Sequence, residues 1–168
     1  MSINRKQQIG GRCSPLVRLG LALAAIYVLW LAQAWHPARA DSLWLVGSGA
    51  SYHFDRSKDY NERNWGVGFE WGLVRDTRAI LGTYLNSHGR QSAYGGVAWT
   101  PLALGPARAG AILGAVDGYE GVRNGHVFPM GSLLATLEGN RLGINLLAAP
   151  RWKDSPGVLG LQIKFRID

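Results

Sequence analysis

The sequence predicts an all-β fold, an eight-stranded antiparallel up-and-down transmembrane β-barrel. Three observations predict it. About eight segments of strand length carry a two-residue apolar period and are separated by turn residues. No stretch beyond the first forty residues shows a sustained helical apolar stripe. Long and short connections alternate along the chain, as they do in barrels whose two rims differ.

The barrel is expected to begin after an export signal at residues 1–40. Arg5, Lys6, Arg12 and Arg18 precede an apolar run over residues 19–35, Pro37 breaks any helix, and Ala38-Arg39-Ala40 supplies an A-x-A cleavage site. An uncleaved membrane anchor is the alternative, for which the run is slightly short. Five of the 18 basic residues lie in this segment and all 11 acidic ones beyond it. Residues 41–168 thus hold 13 basic against 11 acidic side chains, a net charge of +2. The basic pI is therefore mostly a property of the leader, and nucleic acid is not an expected partner. Cys13, the only cysteine, leaves with it, which excludes disulfide scaffolds, thiolate metal sites and cysteine nucleophiles. The 128 residues that remain suffice for one domain.

Strands are expected over residues 43–54, 65–74, 79–86, 92–100, 107–116, 131–138, 142–148 and 159–167. In the first, Trp44, Val46, Ala50, Tyr52 and Phe54 share one face, opposed by Gly47, Gly49, Ser51 and His53. In the second, Trp65, Val67, Phe69, Trp71 and Leu73 oppose Gly66, Gly68, Glu70 and Gly72. The last is cleanest: Leu159, Leu161, Ile163, Phe165 and Ile167 alternate with Gly160, Gln162, Lys164 and Arg166.

Alternation does not say which face meets what. A soluble barrel turns its apolar face inward, an outer-membrane barrel turns it to lipid. The polar face here also carries Gly82, Gly96 and Gly143, and a solvated surface has no reason to be glycine-rich. The inside of an eight-stranded barrel has room for few large side chains, so glycine there is expected. That favours the membrane over a soluble periplasmic barrel. Glu70, Glu138, Lys164 and Arg166 then form a charge network in the lumen. Connections at 55–64, 87–91, 117–129 and 149–156 belong to the outer rim, and those at 75–77, 101–106 and 139–140 to the inner one.

This topology gathers reactive side chains at the outer rim. His53 closes the first strand, Asn86 and Ser87 the third, and His88 follows. Glu62 and Arg63 lie in the first outer loop, Tyr119 and Glu120 in the third, Trp152 in the fourth. A His and a Ser together at headgroup level make a base and a hydroxyl nucleophile, suited to acyl transfer. Ser87-His88-Gly89-Arg90 reads equally as an ordinary polar hairpin, and His53 as a residue satisfied by Glu70 inside the barrel. His126 follows the turn dipeptide Asn124-Gly125 and is read as loop. Pro129 and Pro150 interrupt the hydrogen-bond ladder at strand ends, either ending strands or opening a lateral path for a lipid chain. There is no metal-ligand spacing, phosphate-binding glycine loop or G-x-S-x-G, and no cofactor is expected.

These residues resemble the lipid A palmitoyltransferase (PagP) family. The resemblance begins at Tyr52-His53-Phe54-Asp55 and is most specific in Tyr60-Asn61-Glu62-Arg63, Trp65-Gly66 and Gly68-Phe69. It continues through Asn86-Ser87, Trp99-Thr100-Pro101-Leu102, Pro129 and Pro150. It implies a bacterial outer-membrane enzyme moving an acyl chain from a phospholipid to lipid A, acting as a monomer. His53 and Ser87 would carry the chemistry, with Asn86 orienting them where the family has Asp. Tyr60, Asn61, Glu62 and Arg63 would bind substrate, and interior glycines would leave a slot for one acyl chain. A non-catalytic lipid-binding or envelope-maintenance barrel is the second expectation.

Overall fold

The computed structural model describes residues 42–151 and 157–168; the expected leader and Trp152 lie outside them. Eight strands follow in order: β1 (Leu43–His53), β2 (Gly66–Val74), β3 (Thr77–Leu85), β4 (Gln91–Leu104), β5 (Ala107–Val116), β6 (Phe128–Glu138), β7 (Leu142–Ala149) and β8 (Val158–Arg166). Each pairs antiparallel with its sequence neighbour, and β8 pairs with β1 to close the barrel. The expected all-β, eight-stranded antiparallel up-and-down barrel is therefore observed. Connections at 54–65, 86–90 and 117–127 share one rim with the end of β7 and the start of β8, and turns at 75–76, 105–106 and 139–141 lie at the other.

Orientation follows the expected alternation in β2 and β8. Leu161, Ile163 and Phe165 are about half exposed on the outer wall, while Lys164 between them is 1% exposed. Val67, Phe69, Trp71 and Leu73 likewise face out, with Glu70 buried. Leu81, Val97, Trp99, Leu113, Leu133 and Leu146 continue this apolar exterior around the barrel.

Two strands depart from the expected pattern. In β1 the register shifts between Ser48 and Ala50, so Gly49 is an inserted residue that flips the phase. Below it Trp44 and Val46 point inward and are buried; above it Tyr52 points out and His53 in. The expected outward face of Trp44 and Val46, and inward face of Gly47, are thereby corrected. In β4 a second irregularity between Trp99 and Leu102 carries the strand past Pro101 to Leu104, so the expected connection at 101–106 shrinks to two residues. Similarly, β6 begins at Phe128, which places Pro129 inside a strand.

The interior is layered. Nearest the short turns, Lys164 Nζ lies 2.7 Å from both Glu70 Oε2 and Glu138 Oε1. Arg78 donates to Glu138 through both terminal nitrogens and to Glu70 at 3.3 Å. Two cations and two anions close on one another. Arg166 does not join them: it packs over the Trp44 ring at 4.8 Å, and Arg78 takes the expected place. Above this network sits an apolar layer of Ile80, Ala98, Ile112 and Leu134, flanked by Tyr94, Met130 and Leu147.

The paired glycines of β2 and β3 occupy close approaches, not an open slot. Gly68 faces Gly82 across the ladder. A Cβ on Gly82 would fall 2.6 Å from the Tyr94 hydroxyl and 2.7 Å from Gly68 Cα. The acyl slot expected from these glycines is therefore filled by Tyr94 and by backbone. Gly82→Ala is expected to destabilise the barrel by about 1–3 kcal/mol through overpacking, measured by urea unfolding in lipid vesicles.

Candidate functional site

The end of the first long loop, residues 61–65, continues β2 between β1 and the end of β3. Ser51 N donates to Glu62 O at 2.9 Å, Asn64 N to Gly49 O at 3.2 Å, and Asn61 N to Ser87 O at 2.8 Å. Side-chain amides fix the rest. Asn61 Oδ1 accepts from Arg63 N, while its Nδ2 donates to the carbonyls of Arg63 and Asn86, both at 3.0 Å. Asn64 Nδ2 donates to Leu85 O at 2.8 Å. The first loop is thus stitched to the start of the second, and the spacing of Asn61 and Asn64 is what the stitching needs.

The second loop, residues 86–90, is organised around Asn86, which is fully buried. Its Oδ1 accepts from His88 N at 2.9 Å and Arg90 N at 3.0 Å. Its Nδ2 donates to Ser92 Oγ and Gly118 O, both at 2.9 Å. Two acceptor and two donor bonds saturate an amide. A carboxylate there would set an oxygen against the Gly118 carbonyl, so this environment selects Asn over Asp. The expected orienting role is corrected on the same ground: the Asn86 side chain bonds its own turn, Ser92 and Gly118, and none of its polar atoms is directed at His53.

Together the two loops bring His53 and Ser87 into contact. His53 Nε2 lies 2.8 Å from Ser87 Oγ, with the His53 side chain only 2% exposed. For Nε2 to accept the serine proton, the ring proton must sit on Nδ1. Nδ1 is buried without a hydrogen-bond partner and lies 3.8 Å from Glu62 Oε1. The same Glu62 oxygen accepts from the His53 backbone N–H at 3.1 Å and pairs with Arg56. That N–H, and after it Arg56, hold the Glu62 carboxyl below the usual carboxylate range. The neighbour of His53 is therefore Glu62; Glu70 belongs to the lumenal network, which corrects the alternative partner expected for His53.

Aromatic rings enclose the pair. Tyr60 stacks on His53 with centroids 4.5 Å apart, and His88 meets Tyr60 and Tyr119 edge-on. The Tyr119 hydroxyl lies 2.8 Å from the Tyr84 hydroxyl. Two clefts open beside them. One of about 470 Å³ is lined by His53 and the first loop, and one of about 350 Å³ by residues that include Tyr60, Ser87 and His88.

The four first-loop residues expected to bind substrate line the larger cleft, where Tyr60 and Glu62 also face His53 and Asn61 bonds the neighbouring loop. Arg63 is exposed, next to outward-facing Trp65. Asn124 and Gly125 both have positive φ, 53° and 79°, as the turn dipeptide predicted, and His126 is exposed in that loop. Among the described residues no group of three or more His, Cys, Asp or Glu side chains is placed to hold a metal ion. Sequence reasoning missed Tyr84 at the site, although its even position beside Gly82 marks the inward face.

Pro129 lies within β6 and Pro150 just past β7. Among the described residues the β6–β7 ladder runs from Glu138↔Gly143 to Leu133↔Ala148, and residues 128–132 of β6 pair with β5. Phe128, at the top of that stretch, touches the Tyr119 ring edge-on at 5.7 Å. Ring contacts thus run from Phe128 through Tyr119 to His88, the residue after Ser87.

No protein-family model and no curated protein matches the chain.

Glu62→Gln removes the carboxylate that faces His53 Nδ1. The expected result is a roughly tenfold slower reaction of Ser87 with a fluorophosphonate, the scale of a weakened general base. A rate equal to that of the native protein would show that Glu62 does not position the ring.

Proposed function

We propose that this chain is an outer-membrane acyltransferase resembling the lipid A palmitoyltransferase family, moving an acyl chain from a phospholipid to lipid A. The observation that carries the reading is the 2.8 Å contact between Ser87 Oγ and a buried His53 Nε2, set at the long-loop rim of a barrel with an apolar exterior. A serine hydroxyl is a weak nucleophile until a base removes its proton, and a neutral imidazole at hydrogen-bond distance is such a base. Glu62 acts as a positioning residue behind it.

The apolar exterior supports burial of the wall in hydrocarbon, because a belt of Leu, Val, Phe and Trp facing water would be a large unfavourable surface. The rim then lies at headgroup level, where ester bonds of phospholipids sit. Arg63 is suited to meet a headgroup phosphate there, being exposed beside Trp65. The rim between Pro129 and Pro150, where each proline removes a ladder N–H, serves as the lateral path for the acyl chain. With the glycine spaces filled, the chain reaches Ser87 past Phe128, Tyr119 and His88 and not through the barrel centre.

Mass spectrometry of lipid A from cells with and without the protein tests the reading. An added acyl chain that depends on the protein is the expected result. Identical lipid A from both would contradict transfer and favour a barrel that binds lipid without chemistry.

A further inference from the structure

A histidine base becomes an imidazolium as it takes the serine proton, and a cation in so buried a place needs compensation. In a hydrogen-bonded triad the third member supplies it through the Nδ1 proton. Here Nδ1 is buried without a hydrogen-bond partner, and the Glu62 oxygen facing it, at 3.8 Å, is beyond hydrogen-bond reach. That same oxygen is engaged by Arg56 and by the His53 backbone N–H. The Arg56 charge offsets the carboxylate, so Glu62 supplies only part of what the imidazolium requires.

Resting on the acyl-transfer reading, we propose that Tyr60 is a further positioning residue of this site, its ring face stabilising His53 in the cationic form. The two rings are stacked, with centroids 4.5 Å apart and planes 20° from parallel. A nearly parallel ring at that distance presents its electron-rich face to the imidazole. A cation within about 6 Å of such a centroid is attracted to it, most strongly where water is excluded. Neutral imidazole gains less than imidazolium, so the contact strengthens as the proton arrives and favours the transition state over the ground state. The backbone holds the ring in this place. Tyr60 N donates to Lys58 O at 3.1 Å, and Asn61 N, next in sequence, donates to Ser87 O at 2.8 Å. His88, the residue after Ser87, meets the Tyr60 ring edge-on at 6.0 Å. Tyr60 also lines both clefts, which places it beside any ester that reaches the pair.

The step balances with the groups present. Ser87 Oγ bonds to the ester carbon as its proton passes to His53 Nε2, and the carbonyl electron pair moves onto oxygen. The imidazolium then faces the Tyr60 ring, with the Glu62 carboxylate at its edge. Collapse breaks the ester C–O bond, the departing lysophospholipid oxygen takes the proton, and His53 is neutral again. An acceptor hydroxyl then gives its own proton to His53 and reverses the sequence, carrying the acyl group away. The charged and titratable groups around His53 are Glu62 and Arg56 of the first loop and His88 of the second; its β8 partner, Val158, is apolar.

The test uses the full chain in detergent micelles and follows the rate at which a fluorophosphonate labels Ser87 across pH. Labelling needs neutral His53, so the rate falls on the acid side as the imidazole takes a proton. Tyr60→Leu removes the ring face and leaves the imidazolium less stable. The acid limb should then move about one unit to lower pH, and the plateau rate should fall up to about tenfold. Tyr60→Phe keeps the face and should restore both. Pentafluorophenylalanine at position 60 keeps the shape of Phe but reverses its quadrupole, and should shift limb and plateau at least as far as Leu does. This nearly isosteric pair carries the test should Tyr60→Leu disturb the loop. A packing role alone would slow Tyr60→Leu with the limb unmoved and leave pentafluorophenylalanine equal to Phe, a result that would overturn the role of Tyr60 alone. A limb that disappears in His88→Gln would do the same, because the titrating group would then be His88. A native protein that takes no label at Ser87 at any pH would overturn the acyl-transfer reading and this inference with it.

Discussion

Ser87→Ala is expected to abolish acyl transfer, and His53→Ala to lower it on the order of 10²–10⁴-fold, the usual contribution of a general base. Both effects follow from one contact, Ser87 Oγ to His53 Nε2 at 2.8 Å. Neither substitution should unfold the barrel. Ser87 lies in a loop whose turn is built by Asn86, and its own structural bond is through its carbonyl, which accepts from Asn61 N whatever the side chain. His53 is a larger loss because Tyr60 stacks on it, so its variant should show some loosening of the first loop. The rate is read as acyl chains transferred from phospholipid to lipid A in mixed micelles, and integrity as heat-modifiable mobility on gels. Full activity in both variants would place the chemistry elsewhere.

The largest expected effect on stability lies at the opposite end of the barrel. Lys164 is 1% exposed and stands between Glu70 and Glu138. Lys164→Met leaves Arg78 as the remaining cation against two buried carboxylates. Breaking a buried ion cluster by removing one partner costs about 3–5 kcal/mol, because the surviving charge is uncompensated. Restoring neutrality with Glu138→Gln in the same chain should recover part of that loss, since Arg78 then balances Glu70 alone. Urea unfolding in lipid vesicles measures both variants. A Lys164→Met barrel as stable as the native one would mean that water or counter-ions reach the cluster.

How much of this was legible in the sequence depends on whether local pattern or tertiary context decided each feature. In β2 and β8 the period of two is unbroken, so their faces could be read directly. In β1 it is broken by one inserted residue at Gly49, and an insertion leaves no mark in composition. The outward half of that strand could be read correctly only from the end nearest His53. Pro101 signalled a strand end, yet β4 continues through it by an irregularity, which relieves the missing N–H.

The site was partly legible for a similar reason. Hairpin topology alone brings the ends of β1 and β3 to one rim, so the nearness of His53 and Ser87 followed from strand counting. The duties of the neighbouring residues did not. Glu62 and Asn61 look like exposed loop polars until their bonds to β1 and to the second loop are seen. Asn86 looks like a weakened acid until its four hydrogen bonds are counted. Arg78 was missed as a lumenal charge because the expected third strand began at residue 79, whereas β3 begins at Thr77 and carries Arg78 to Glu138 and Glu70.

The account depends first on the apolar exterior meeting hydrocarbon, and fluorescence quenching by brominated phospholipids tests that most directly. Trp65, Trp71 and Trp99 are each more than half exposed on the outer wall, whereas Trp44 is enclosed. Folded protein in vesicles whose acyl chains carry bromine should lose much of its tryptophan emission relative to vesicles without it. Emission unchanged by bromine, from a protein that stays in solution without detergent, would contradict a membrane-embedded wall and with it the headgroup-level site.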